Sequence, residues 1–228
     1  MALILQLETS TISCSVALSI DGKTIAVKEL TERNVHASHL TLYIEDVMVQ
    51  TGYSMKDLDA VAVSMGPGSY TGLRIGVSTA KGLCYALDLP LLAINTLQAM
   101  SYGFISSYND KSVLYCPMID ARRMEVYSAV FDYQIEEVMP VEARIIDEDS
   151  FSDLLKNQQI VFFGDGAMKC QEVLAGKPNA IFVPEFLNSA KDLSFMAAFK
   201  FQQKEFEDVA YFEPFYLKDF LVTQPRKK

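Results

Sequence analysis

The strongest constraint on the fold is a pattern that runs twice along the chain. Each half opens with strands in a meander and then alternates helix with strand. In the first half, apolar runs of strand length cover residues 2–8, 14–20 and 23–30, and Asp21-Gly22 joins the last two as a two-residue hairpin turn. A helix over 36–51 follows, closed by Gly52. Ser54 and Asp57 form a capping box for one short turn. Strand 59–65, a glycine turn at 66–71, helix 72–87, strand 90–94 and helix 96–106 complete this half. The second half repeats the theme. Strands 112–119, 125–133 and 141–146 surround a tight connection at 120–124. Ser150 and Asp153 cap a short helix, and strand 160–163 leads through Gly164-Asp165-Gly166 into helix 167–174. A strand at 180–183 and an amphipathic helix over 190–206 close the series. A strand-first, β–α alternating pattern repeated twice predicts an α/β fold of two lobes, each a mixed sheet with helices. The lobes are expected at 1–108 and 109–228, with the final helix free to pack back on the first lobe.

Composition excludes several functions. The 228 residues carry a net charge of −9, so the surface as a whole repels polyanions, and tight independent binding of RNA or an anionic membrane is not expected. The one basic cluster, Arg226-Lys227-Lys228, reads as a solubilising end. Cys14, Cys84, Cys116 and Cys170 lie far apart with no C-x-x-C pair, which argues against a zinc ribbon and fits free thiols in a reducing cytoplasm. The apolar start contains Gln6 and Glu8 and has no basic region before it, so it reads as a strand and not as a signal peptide. His36 and His39 share a helix face, yet no Asp, Glu or Cys completes a metal set at a clear spacing.

Three polar turns sit at equivalent places. Glu8-Thr9-Ser10-Thr11 follows the first strand, where a hairpin can cup a phosphate. Asp120-Ala121-Arg122-Arg123 holds the same place in the second half, but with bulky arginines and no glycine to admit a phosphate. Gly164-Asp165-Gly166 can face an adenosine. Thr9, Ser10, Gly164 and Gly166 are therefore the candidate nucleotide contacts, in a cleft whose second phosphate turn is damaged. The run from Gly66 to Arg74 leads from strand to helix with three glycines and a proline. Such a turn can aim N–H groups at an anion, though the lysine of a P-loop is missing.

The helices beside these turns carry more apolar surface than one core needs. In helix 72–87, Leu73, Ile75, Val77, Thr79, Ala80, Leu83, Cys84, Ala86 and Leu87 cover roughly 200° of arc, wider than a surface helix requires. In helix 36–51, Leu40, Ile44, Val47 and Met48 form a core face, while Leu42 and Val49 lie opposite. A helical partner surface is expected, built from Leu42, Val49, Leu73, Arg74, Val77, Ala80, Lys81 and Cys84. The competing expectation is a helix buried between two layers.

In order and spacing the turns resemble the fold shared by actin, sugar kinases and heat-shock chaperone ATPases (the ribonuclease H-like group). Within it the chain resembles the TsaB (YeaZ) family. The resemblance is carried by the run Gly66 to Leu83, and supported by Glu8-Thr9-Ser10, Asp120-Ala121-Arg122 with Glu125-Val126-Tyr127, Gly164-Asp165-Gly166, and Pro214-Phe215-Tyr216-Leu217-Lys218. It implies a non-catalytic subunit of the bacterial machinery that attaches a threonylcarbamoyl group to adenosine in tRNA. It also implies docking of a catalytic paralogue, TsaD, on the first-lobe helices, a further ATPase partner, TsaE, and a homodimer when the paralogue is absent. No cofactor of its own is implied, with ATP or ADP at the interface of the complex and tRNA contacted only indirectly. The paralogue's metal-binding H-x-x-x-H helix corresponds here to a stretch with Thr96 and Met100 at the two ligand places, neither a good ligand for a hard or borderline metal. The chain departs from the family pattern at Glu8, where Asp is usual, and at Tyr70, where Phe is usual. Two other classes remain open on the residues alone. A stand-alone ATPase or kinase would use Asp120 as its base. A metalloprotease would need more than two histidines and an H-E-x-x-H motif, which is absent.

Overall fold

The structure is a computed structural model and describes residues 1–32 and 35–218. The basic cluster at 226–228 lies outside the described residues. In chain order the first lobe contains β1 (Leu3–Glu8), β2 (Ser13–Ile20), β3 (Lys23–Thr31), α1 (His36–Thr51), β4 (Ala60–Gly66), α2 (Tyr70–Leu87), β5 (Leu91–Asn95) and α3 (Thr96–Tyr108). The second contains β6 (Leu114–Asp120), β7 (Glu125–Phe131), β8 (Glu137–Ile145), α4 (Ser152–Leu155), β9 (Ile160–Phe163), α5 (Gln171–Leu174) and β10 (Ala180–Phe182). Last comes α6 (Ser194–Gln203).

Each lobe has one five-stranded sheet, ordered β3-β2-β1-β4-β5 and β8-β7-β6-β9-β10. The two orders match strand for strand. In both, the first strand is central, its meander runs antiparallel to one side, and the later strands add in parallel on the other. This is the duplicated, mixed-sheet architecture of the actin-like ATPase fold expected above.

Alternation along β1 sorts its side chains between two cores. Leu3, Leu5 and Leu7 join Val47 and Met48 of α1 and Val77, Ala80 and Cys84 of α2. Ala2 and Ile4 face the other way, with Ala60, Ala62, Leu92 and Ile94, against Ala99 of α3 and Ala197 and Ala198 of α6. Helix α6 thus returns to cover the first lobe. Helix α3 has a second apolar side, Leu97, Met100, Phe104 and Ile105, packed on Tyr115, Phe131 and Phe163 of the second sheet. It is the shared wall between the lobes, and Phe104 stacks on Phe163 with ring centroids 4.1 Å apart.

Three elements differ from expectation. The helix expected over 190–206 is a short 3-10 turn, Ala190–Leu193, followed by α6, which stops where Lys204 turns left-handed at φ 57°. The helix expected over 167–174 is a 3-10 turn, Met168–Cys170, followed by α5. The sequence pattern predicts no element after residue 206. Residues 205–218 form an extended strap that runs back along the first lobe. Among the described residues no helix is long and apolar enough to cross a membrane.

Candidate functional site: the first-lobe helix face beside a filled cleft

The turn after β1 is closed by the chain itself. Glu8, Thr9 and Ser10 are fully buried, and Thr11 nearly so. The Ser69 N–H, at the mouth of α2, donates to the Ser10 carbonyl at 2.6 Å. The Asn188 amide donates to Ser10 Oγ at 3.0 Å and accepts from Thr11 Oγ1 at 2.6 Å. Helix α2 lies so close that a Cβ on Gly72 would fall well inside 3.0 Å of the Thr9 carbonyl oxygen, and one on Gly68 would overlap the Ser10 carbonyl. Gly68, Gly72 and Gly76 thus let α2 approach its own β1–β2 turn, a role that takes the place of cradling an anion.

Glu8 adds to this picture. Its Oε1 accepts from the Ser10 N–H at 2.6 Å and from Ser64 Oγ at 2.9 Å. Among the described residues its Oε2 and Thr9 Oγ1 have no hydrogen-bond partner. Burial raises the Glu8 pKa, against the lowering effect of these hydrogen bonds. A carboxyl held toward its neutral form beneath a packed helix is poorly suited to a metal–phosphate complex.

The other two turns are filled as well. The Asp120 carboxylate pairs with the Lys169 ammonium and accepts from the Arg122 N–H at 2.8 Å. Gly164, at φ 101°, and Gly166 are buried, and the latter donates its N–H to the Met118 carbonyl at 3.0 Å. The expectation that Thr9, Ser10, Gly164 and Gly166 face a nucleotide is therefore corrected. The residues do not fit a nucleotide within this chain's own cleft, because its backbone and side chains occupy the cradle. At the paralogue's metal position, Thr96 Oγ1 accepts from the Gly66 N–H at 3.2 Å, and Met100 is buried against the second lobe. His36 Nε2 is bonded to the Ser13 carbonyl at 3.2 Å, and His39 Nδ1 to Ser38 Oγ at 2.9 Å, so the pair does not converge. Among the described residues no group of three or more His, Cys, Asp or Glu is placed to hold a metal.

What the first lobe leaves open is the outer face of α1 and α2. Leu42 is 53% and Val49 74% exposed, as a partner surface requires. Between the helices runs a groove of about 490 Å³, lined among others by Ile44, Met48, Val49, Tyr53, Met55 and Leu83. The expectation fails for Leu73, Val77, Ala80 and Cys84. All four are buried, and Val77, Ala80 and Cys84 belong to the lobe's own core. Their spacing of i, i+4, i+7, i+11 is the inward stripe of an amphipathic helix, and the wide apolar arc hid it. Arg74 and Lys81 point outward but are engaged. Lys81 Nζ donates to the carbonyls of Phe212 and Ala210 at 2.9 and 3.1 Å. The Arg74 guanidinium lies 4.2 Å above the Tyr70 ring, and its Nε donates to the Tyr216 hydroxyl at 3.3 Å. Both cations hold the strap.

The strap is fixed along its length. The Glu207 N–H donates to the Leu91 carbonyl at the edge of β5, and the Phe215 N–H to the Met65 carbonyl. Lys218 reaches Glu125 of the second lobe. A second groove, about 630 Å³, separates the strap from α2 and is lined by Lys81, Gly82, Tyr85, Asp208, Val209 and Ala210. Tyr85, 87% exposed, stands at this groove and is not among the residues that the helical spacing assigns to a partner surface.

Comparison with known proteins places this geometry. A family model described as TsaD, tRNA N6-adenosine threonylcarbamoyltransferase, matches residues 27–226. The tRNA threonylcarbamoyladenosine biosynthesis protein TsaB of Escherichia coli is 40% identical over 134 residues, 59% of this chain and 56% of that protein. The chain thus spans little more than half the length of that relative. The TsaB of Buchnera aphidicola (from Acyrthosiphon pisum) is 28% identical over 209 residues, 89% of this chain and 91% of that one. The solved structure of YeaZ from Pseudomonas aeruginosa superposes with a TM-score of 0.82 at 27% identity, covering 95% of this chain and all of that one.

Proposed function

Because the chain belongs to the family that the TsaD model describes, on its TsaB (YeaZ) branch, we propose that it serves the synthesis of threonylcarbamoyladenosine in tRNA as a non-catalytic subunit. Its task is to dock and support a TsaD-type catalytic relative on the outer face of α1 and α2. The observation that carries this reading is the exposed pair Leu42 and Val49 beside an open apolar groove, next to a cleft filled by the chain's own atoms. Apolar side chains at the rim of such a groove are what a protein partner buries. A TsaE-type ATPase joins the assembled pair, and any ATP or ADP sits where subunits meet. The tRNA is contacted through the catalytic subunit, the work is done in the cytoplasm, and alone the chain pairs with a second copy through the same face.

The rival reading, a stand-alone ATPase or kinase, needs Asp120 as a free base. Its pairing with Lys169 counts against that role. Light scattering of the purified chain, alone and mixed with the catalytic relative from the same organism, tests the proposal. A one-to-one complex that Val49→Asp prevents is the expected result. A chain that ignores the relative under all mixing ratios overturns it.

A further inference from the structure

We infer that the segment from Asn188 to Leu193 is a latch between the lobes, which opens and closes as a unit with the loss and gain of a proton in the carboxyl cluster that it buries. The inference goes beyond the functional reading above and holds whichever partner the outer helices take.

The segment crosses from β10 of the second lobe to α6 on the first. On the way it fastens to the first sheet by side chains, without strand pairing. The Asn188 amide grips both Ser10 and Thr11 of the β1–β2 turn. Ser189 Oγ donates to the Glu29 carboxylate of β3 at 2.6 Å, and the Ala190 N–H donates to Ser15 Oγ of β2 at 3.0 Å. The Asp192 carboxylate accepts from the Ser189 N–H at 3.1 Å and so holds the shape of the segment itself. It lies close against α3, where a Cβ on Gly103 would come within 2.4 Å of it. Glycine at 103 thus makes room for this carboxyl in the wall that both lobes share. Asn188, Ser189 and Asp192 are all buried.

Charge makes this more than a packed turn. Asp192, Glu8 at the end of β1 and Glu29 of β3 lie close enough to raise one another's cost of ionising, and Lys191 beside Asp192 offsets them in part. Of the other elements packed here, β2, β4 and α3 carry no charged residue, and their Cys14, Tyr102 and Tyr108 are neutral near pH 7. Helix α6 carries only Lys200, which pairs with Glu205. Glu8 Oε2 is buried with no hydrogen-bond partner among the described residues, so the chamber has no donor to spare for a further ionised carboxylate. Burial, with Glu8 and Glu29 as like charges, holds the Asp192 carboxyl up at about 7. When the segment lifts, water returns that carboxyl to the ordinary range near 4. The closed latch therefore binds the proton more tightly than the open one. Closure is strongest at low pH, weakens as pH rises from about 4 to 7, and levels off above that.

The test is amide hydrogen exchange of the full chain between pH 6 and 8, corrected for the intrinsic pH dependence of exchange. The N–H groups of Ser189, Ala190 and Asp192 report the latch, and those of Ser10 and Ser13, bonded to Glu8 and Thr11, report the turn beneath it. Protection should fall about tenfold over this range at both places together and stay constant at the centre of β1. In Asp192→Asn, which keeps an acceptor for the Ser189 N–H, the slope should vanish at both places. Asn188→Ala should quicken exchange at Ser10 and Ser13 at every pH and leave the slope of the latch in place. A carbon NMR titration of the carboxyls of the parent needs no variant, and the midpoint of Asp192 should coincide with the pH at which protection levels off. Latch and turn that exchange independently, a slope that persists in Asp192→Asn, or an Asp192 midpoint near the ordinary carboxyl value would each overturn the inference.

Discussion

Two glycines on one helix should respond in opposite directions to the same substitution. Gly72→Ala places a methyl group against the Thr9 carbonyl oxygen, closer than the 3.0 Å that real Cβ atoms essentially never cross. That oxygen belongs to backbone at the end of the central strand, beneath α2, so it cannot swing aside as a side-chain tip would. Overpacking of this kind costs about 1–3 kcal/mol, and a rigid backbone neighbour puts the site at the upper end. The helix-propensity gain of about 1 kcal/mol from Gly to Ala offsets only part of it. The net loss is about 2 kcal/mol. Gly82→Ala meets nothing within 4 Å among the described residues, so it keeps the whole propensity gain of about 1 kcal/mol. For a chain of this size, each kcal/mol moves the melting temperature by about 2–4 °C. Thermal unfolding followed by circular dichroism should therefore put Gly72→Ala about 4–8 °C below the parent and Gly82→Ala about 2–4 °C above it. A Gly72→Ala protein as stable as the parent would refute the reasoning, because it would mean that α2 does not press on the first turn and that the turn is open to a ligand.

The helix faces give a second contrast. Leu73→Ala, in the core, should lose about 2–5 kcal/mol, while Val49→Asp, 74% exposed, should leave denaturant stability within about 0.5 kcal/mol of the parent. Equal stability of the two variants in a urea titration would contradict the assignment of inner and outer faces. Lys81→Met should loosen the strap, because two charge-assisted hydrogen bonds to its carbonyls are lost. Hydrogen exchange should speed up across residues 207–216 and stay unchanged in β1, and equal exchange of the strap in the parent and in Lys81→Met would oppose this. Asp192 gives a pH dependence. Burial raises its carboxyl to about 7, with Glu8 and Glu29 as further like charges. The folded chain then binds more protons than the unfolded one between about pH 4 and 7, so this group makes stability fall as pH rises through that window. Asp192→Asn should flatten the slope of unfolding free energy over those pH values, and an unchanged slope would oppose the account.

Much of the fold was legible because its signals are local. The Asp21-Gly22 turn, Gly52 after α1 and the three-strand openings of each half are set by neighbouring residues. The repeat of those openings carried the two-sheet architecture. The strap was not legible, since its contacts, Lys81 to Phe212, Glu207 to Leu91 and Lys218 to Glu125, join residues far apart in the chain and have no period. The candidate site was half legible. Leu42 and Val49 stand out as apolar residues on the wrong side of an otherwise regular helix, and they are exposed. Leu73, Val77, Ala80 and Cys84 were misplaced because Ile75, Thr79, Leu83 and Leu87, which flank the buried stripe, widen the apolar arc without saying which side is pressed against the sheet. The phosphate turns misled for a related reason. Glycines that admit a phosphate and glycines that admit a helix look alike in sequence, and only the closeness of α2 to Thr9 and Ser10 separates them.

The most direct test of the central claim is reconstitution of threonylcarbamoyladenosine formation on tRNA from purified components, with the catalytic relative and the ATPase present and this chain supplied as parent, as Val49→Asp, or not at all. The account expects modification with the parent chain, loss of it both without the chain and with Val49→Asp, and none from the chain alone. Product made by the chain without the catalytic relative, or full activity with Val49→Asp, would contradict it.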